Sequence, residues 1–212
     1  MKTLIAIPCM STVPWAFSKS MDYLVKGDNV SILYKPDSLI YDARNIISLT
    51  AIENDFDRVM WFDSDIVFQP DTLQVLHQDM DELGCEMVTG LYFKRHLPTE
   101  PVLYERLEEP ARTSDGLLAK QITAFTNYPV NDVFKVRGCG FGCVLVSTRL
   151  MKAVWNKFGP AFAPYPWASE DISFCHRVNQ LGYDIYCDSR VSCGHVGTFI
   201  YTEDLVKRGD VT

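Results

Sequence analysis

Two aspartates one residue apart, Asp63-Ser64-Asp65, follow the apolar run Val59-Met60-Trp61-Phe62 and precede Ile66-Val67-Phe68. Carboxylates held between apolar runs must be neutralised, because desolvating two like charges side by side is costly. A divalent cation with oxygen ligands is the simplest neutraliser, and the same cation can bridge two phosphate oxygens. The competing reading is a turn or helix-capping pair bonded to local backbone N–H groups. Asp-x-Asp alone carries little information, since 18 aspartates in 212 residues give about 1.5 copies by chance. Three are present, and Asp55-Phe56-Asp57 and Asp79-Met80-Asp81 fall in polar helix-end contexts where solvated carboxylates are expected. Only Asp63 and Asp65 have apolar runs on both sides.

Other residues carry chemistry-bearing types, each with a plainer alternative. Glu170-Asp171 heads a helical segment after a proline-aromatic loop; acids in a first turn are also favoured by the helix macrodipole, with Ser169 or Glu170 as cap. Gly138-Cys139-Gly140-Phe141-Gly142 follows one strand and leads into another, so it is not a dinucleotide-binding turn, which needs a helix next. Its glycines permit close backbone approach to a ligand, or make a hairpin turn with a bulge. Cys139 and Cys143 lack a second Cys/His pair at zinc-site spacing and read as buried thiols. His195 follows the strand Val191-Ser192-Cys193 and a glycine, and a lone imidazole there is ordinarily a structural side chain. Arg44 has the planar fork that pairs a diphosphate, or a carboxylate at the surface. Asp37 sits in Pro36-Asp37-Ser38, a turn sequence. Tyr165 and Trp167 offer aromatic faces for stacking on a ligand as well as for core packing.

The elements that must position these residues alternate in type. Strands are expected at Thr3–Pro8, Val30–Tyr34, Arg58–Phe62, Glu86–Leu91, Val133–Val136 and Val144–Val146, as apolar runs bounded by turn residues. Helices are expected at Trp15–Val25, Tyr41–Glu53, from Pro70 with Leu73, Leu76, Met80 and Leu83 until Gly84, Thr148–Phe158 and Ser169–Leu181. Alternation of this kind predicts an α/β fold, a mostly parallel central sheet flanked by helices. The stretch 92–130 breaks the rhythm with Pro98, Pro101, Pro110 and Pro129 and reads as hairpins and loops, with a mobile lid as one use for them.

The chain has 212 residues, 47% hydrophobic and 22% charged, which supports a real core in a single domain without disulfides as staples. A net charge of −7 argues against a protein that coats a polyphosphate backbone. The seven cysteines form no CxxC pair and their odd number forbids a complete disulfide framework, so reduced thiols and a cytoplasmic location are expected. Leu4-Ile5-Ala6-Ile7 is too short for a signal segment, and no run of 18 apolar residues suggests a transmembrane span.

Taken in order, Leu4-Ile5-Ala6-Ile7-Pro8, Asp63-Ser64-Asp65, Arg137-Gly138-Cys139-Gly140-Phe141-Gly142, Ser169-Glu170-Asp171 and Gly194-His195 resemble the GT-A glycosyltransferases, within them the inverting family-2-like group. The resemblance spans Thr3 to His195. It implies a Rossmann-like GT-A domain over 1–212, with 1–91 binding the nucleotide-sugar and 92–212 the acceptor. Pro8, Asp37, Arg44, Asp63 and Ser64 would face the nucleotide, with Arg44-Asn45 resembling the family's Arg-Asn pair. Asp63, Asp65 and His195 would hold Mn²⁺ or Mg²⁺, with Asp63 on ribose or behind the metal. Gly138, Gly140, Trp167 and Glu170 would line the acceptor side. Asp171 would be the general base that takes the acceptor hydroxyl's proton, giving inversion by single displacement. A UDP-sugar is the donor implied; glycan, lipid-linked sugar, protein and modified nucleobase in DNA remain as acceptors. The oligomeric state is unspecified.

Rival readings are less well supplied. A sugar-nucleotide pyrophosphorylase needs a glycine-rich phosphate loop where this chain has Pro8-Cys9-Met10-Ser11-Thr12. A phosphatase using Asp-x-Asp as nucleophile carries it on the first strand. A non-catalytic sugar- or nucleotide-binding module is the rival outside enzymes, and it leaves Asp171 and His195 without a joint purpose.

Overall fold

Leu4 to Ile7, Val59 to Phe62 and Cys143 to Val146 are buried at every position, and strands with no solvent face must lie in a sheet covered on both sides. The computed structural model describes residues 1–112, 114–115, 118–197 and 200–205. In chain order the elements are β1 (Thr3–Cys9), α1 (Trp15–Tyr23), β2 (Val30–Pro36), α2 (Ile40–Glu53), β3 (Arg58–Phe62), β4 (Ile66–Val67) and α3 (Thr72–Leu83). There follow β5 (Met87–Leu91), β6 (Leu103–Arg112), β7 (Leu118–Ala124), β8 (Val133–Val136), β9 (Gly138–Cys139), β10 (Cys143–Ser147) and α4 (Thr148–Phe158). The last are α5 (Glu170–Gln180), β11 (Ile185–Ser192), β12 (Gly194–Val196) and β13 (Ile200–Tyr201).

Seven strands form the central sheet in the order β2-β1-β3-β10-β5-β11-β8. Pairing is parallel at β1–β2, β1–β3 and β5–β11 and antiparallel at β10 and β8, so five of the seven run one way. The period-2 alternation of side chains then makes two cores. Leu4, Ala6, Val59, Trp61, Val144 and Val146 meet Ile47 of α2, Leu150 and Val154 of α4 and Phe174 of α5. Ile5, Ile7, Met60, Phe62, Val88 and Leu145 meet Phe17 of α1 and Leu73, Leu76 and Met80 of α3. Burying each Val, Leu, Ile, Met or Phe side chain among these contributes about 1.5–3 kcal/mol.

Several boundaries differ from the sequence reading. Helix α1 stops at Tyr23, two residues early, and β11 starts at Ile185 rather than near Val191. The early start of β11 is masked because its buried positions include Asp188 and Ser189. The stretch 92–130 contains the β6–β7 hairpin, and the glycine run adds β9 to that hairpin, opposite Leu103 and Tyr104. Asp79 is not a solvated helix-end carboxylate: it is 3% exposed and paired with Arg190 of β11 at 2.7 Å. All seven cysteines are free thiols, five of them buried. Among the described residues no helix is long and apolar enough to cross a membrane.

Candidate active site

Asp63 leaves the carboxyl end of β3, the edge at which open α/β sheets bind ligands. Its N–H donates to the Gly142 carbonyl at 3.1 Å and its own carbonyl accepts from Ile66 at 3.1 Å, so residues 63–66 form a tight turn. The turn feeds β4, which pairs antiparallel with β12 and sets His195 opposite Ile66. The Val196 N–H then donates to the Asp65 carbonyl at 2.7 Å. Two short strands therefore bring residues 130 positions apart together.

The His195 ring is oriented from behind. Nδ1 lies 2.8 Å from the Phe93 carbonyl, which only accepts, so Nδ1 carries the proton and Nε2 points forward. Nε2 stands 3.5 Å from Asp65 Oδ1. A lone pair facing a carboxylate is favourable only with a positive charge there, either a proton on Nε2 or a cation between the two. Burial alone would raise the Asp65 carboxyl, but the His195 hydrogen bond and the charges of His195 and Arg95 outweigh it and hold Asp65 below its ordinary range. Arg95 supplies the other contact, Nη1 to Asp65 Oδ2 at 2.8 Å.

Arg44 is neither at the surface nor free. It is 2% exposed, lies 5.0–5.9 Å over the rings of Trp61, Phe141 and Phe162, and donates from Nη2 to Asp63 Oδ1 at 2.8 Å. Its Nε faces Glu170 Oε1 at 3.5 Å. Burial pushes Asp63 and Glu170 up, Arg44 opposes that in both, and the neighbouring carboxylates add to the rise. Asn45, next in sequence, accepts from the Phe162 N–H at 2.9 Å and fixes the loop before α5.

Asp171 lies in the first turn of α5, where Oδ1 accepts from the Ser169 hydroxyl and from the Ile172 N–H at 2.7 Å. Among the described residues no hydrogen bond reaches Oδ2. Trp167 stacks on Tyr165 at 5.3 Å, Arg177 covers Tyr165 at 4.4 Å, and the His176 edge meets both rings. Gly138 and Gly140 sit beside this region, but their backbone is engaged: Gly138 in the β6–β9 ladder and Gly140 N–H on the Val102 carbonyl at 3.1 Å. The glycines answer to Tyr92, because a Cβ on Gly140 would collide with the Tyr92 hydroxyl and one on Gly142 would lie 2.8 Å from its ring.

Pro8 and Asp37 stand at the carboxyl ends of β1 and β2, where Cys9 pairs with Pro36. Asp37 is exposed in a left-handed conformation, φ 54°. It is close enough to Cys9 that its charge adds to the burial that raises that thiol. Ser64 is half-buried in the 63–66 turn.

Among the described residues no three His, Cys, Asp or Glu side chains converge as a preformed metal cage. Asp65 and His195 do converge, and Asp63 turns to Arg44. One carboxylate and one oriented imidazole suit a cation that takes its remaining ligands from water and substrate phosphates, the usual habit of Mg²⁺ and Mn²⁺. On that donor set a divalent cation fits.

Sequence reasoning missed Tyr92, Arg95 and the Phe93 carbonyl. All follow β5, and a basic residue just past a parallel strand's carboxyl end was the available signal for Arg95.

The sequence matches no established family profile and no curated protein. Solved structures do match. "A197 from STIV" aligns with TM-score 0.64 and 21% identity over 93% of this chain and 86% of that one. GalNAc-T7, crystallised with UDP, GalNAc and Mn²⁺, aligns with TM-score 0.61 and 9% identity over 93% of this chain and 44% of its own. At such identities the likeness establishes the architecture alone: the chain has the GT-A type of α/β fold.

Proposed function

We propose that the chain is a metal-dependent glycosyltransferase that moves a sugar from a nucleotide-sugar, a UDP-sugar by preference, to an acceptor hydroxyl with inversion. The observation that carries this is the β4–β12 pairing, which aims His195 Nε2 at Asp65 beside the carboxyl end of β3, while Asp171 lies near enough for its charge to act on Asp63. GalNAc-T7, of the same fold, binds UDP and Mn²⁺, which supports the donor and metal assignments.

In this reading Asp65 and His195 hold Mn²⁺ or Mg²⁺, which when bound offsets the charge that develops on the departing diphosphate. Asp63, fixed by Arg44, accepts from the donor's ribose. Pro8, Asp37 and Ser64 border the nucleotide. Asp171 Oδ2 takes the acceptor hydroxyl's proton as that oxygen attacks the anomeric carbon from the face opposite the diphosphate. Trp167 offers a ring to the acceptor, Glu170 borders it, and Gly138 and Gly140 shape the floor by close packing. Residues 1–91 thus serve mainly the nucleotide and 92–212 the acceptor, with His195 crossing over.

The test is a thermal-shift panel of UDP, GDP, CMP and TDP with Mn²⁺, Mg²⁺ or EDTA on the wild type and Asp65→Ala. Ligand at 100 times its Kd stabilises by about 2.7 kcal/mol. A metal-dependent shift with one nucleotide, lost in Asp65→Ala, is expected. A shift indifferent to metal and to Asp65 would favour a non-catalytic binding module.

A further inference from the structure

Arg95 has no part in the chemistry assigned above. Its Nη1 donates to Asp65 Oδ2 at 2.8 Å and reaches the Val196 carbonyl at 3.5 Å, yet the side chain is 51% exposed. The backbone beneath it is fixed. Lys94 N–H donates to the Glu100 carbonyl at 2.9 Å, Val102 N–H to the Tyr92 carbonyl at 2.9 Å, and the Thr99 hydroxyl to the Lys94 carbonyl at 2.7 Å. A Lys94–Glu100 ion pair at 2.9 Å closes the same turn. The turn is tied while the guanidinium is held only at its tip, so it can change partner by rotamer exchange alone. The two arginines of the site therefore differ in kind: Arg44 is sealed under three rings, and Arg95 is half in solvent on the carboxylate that a cation needs.

We propose that Arg95 is an exchangeable counter-ion, which holds Asp65 before a divalent cation binds and passes its guanidinium to the nucleotide diphosphate when the cation takes Asp65. This rests on the reading under Proposed function. An arginine fork matches two phosphate oxygens, and the exchange keeps both Asp65 and the diphosphate neutralised in turn. Its consequences have opposite signs. A free cation must displace Arg95 from Asp65, so removing the guanidinium eases cation uptake. The diphosphate loses a partner, so its binding weakens.

The experiment titrates Mn²⁺ alone, followed by the spin-resonance signal of free ion, and then UDP at saturating Mn²⁺ by calorimetry, on wild type, Arg95→Ala, Arg95→Lys and Asp65→Ala. Arg95→Ala is expected to bind Mn²⁺ about two- to fivefold more tightly, the range of a half-exposed ion pair. It is expected to bind UDP about tenfold or more weakly, as for a lost charge-assisted contact. Arg95→Lys should fall between on UDP. Both affinities falling together, as from a merely structural arginine, or neither changing, overturns the proposal while the wild type still binds both ligands through Asp65. Wild-type binding that is absent or indifferent to Asp65→Ala overturns the metal-site reading itself and the proposal with it.

Discussion

The proposed role of Asp171 as general base requires it to be available to a proton although it sits where a helix N-terminus favours the anion. The structure divides its oxygens: Oδ1 is held by the Ser169 hydroxyl and the Ile172 N–H, and among the described residues no hydrogen bond reaches Oδ2. Asp171→Asn should reduce turnover by about 10²–10⁴-fold, the usual worth of a positioned base, and leave UDP affinity with Mn²⁺ nearly unchanged, since among the described residues no hydrogen bond joins Asp171 to Asp65 or His195 and it acts on Asp63 only through its charge. Initial rates set beside calorimetry decide it, and normal turnover would remove Asp171 from the mechanism. A second residue-scale prediction concerns Gly140, where a Cβ would strike the Tyr92 hydroxyl. Gly140→Ala should cost about 1–3 kcal/mol through overpacking, and adding Tyr92→Phe should recover part of it. No recovery in denaturant melts would mean that the contacts which remain, Val102 Cγ1 at 2.7 Å and Tyr92 Cζ at 3.0 Å, together with the acceptor that the Gly142 N–H loses, outweigh relief of the hydroxyl clash.

Elements explain what the residues do not. Helix α3 was legible from Leu73, Leu76, Met80 and Leu83 and from Gly84, which ends it at φ 60°. Asp79 on that helix was not legible, because its partner Arg190 is 111 residues away on a strand whose buried Asp188 and Ser189 disguise it. The β4–β12 pair escaped for a different reason, since strands of two and three residues carry no period to read. Burial, then the Asp188 carboxyl with its hydrogen bond and charge, push Asp79 up to about 7 against Arg190, with Glu82 adding to the rise. The folded pKa thus exceeds the unfolded one, so this contribution to stability is full at low pH and lost as pH rises through about 7. The wild type should melt at a lower temperature at pH 8 than at pH 5, and Asp79→Asn should shrink that difference. Equal pH slopes in calorimetry for both proteins would refute the assignment.

At the scale of the molecule, the alternation in Leu4-Ile5-Ala6-Ile7 and Val59-Met60-Trp61-Phe62 already specifies two cores and hence helices on both faces. The candidate site was legible as residue types in chain order. Its internal pairing was not, because Arg44, Asp63 and Glu170 come from α2, the end of β3 and the start of α5 and meet only in the folded chain. Arg44 is where these elements are joined, with three aromatic rings beneath it and two carboxylates beside it. Arg44→Met keeps much of the packing and strands both acids. Leaving a buried ion pair without its cation costs about 3–5 kcal/mol, which for a chain of 212 residues is roughly 10 °C in melting temperature. The sign of its pH dependence follows from the same contacts. Without Arg44, Asp63 and Glu170 lose the charge that opposes their upward shift. Their folded pKa values then lie further above the unfolded ones, and the protonated forms suit the fold better. The deficit of Arg44→Met should accordingly be largest near pH 8 and narrow towards pH 5 as the two acids take up protons. A deficit independent of pH would show that Arg44 acts through its packing on Trp61, Phe141 and Phe162 and not through its charge.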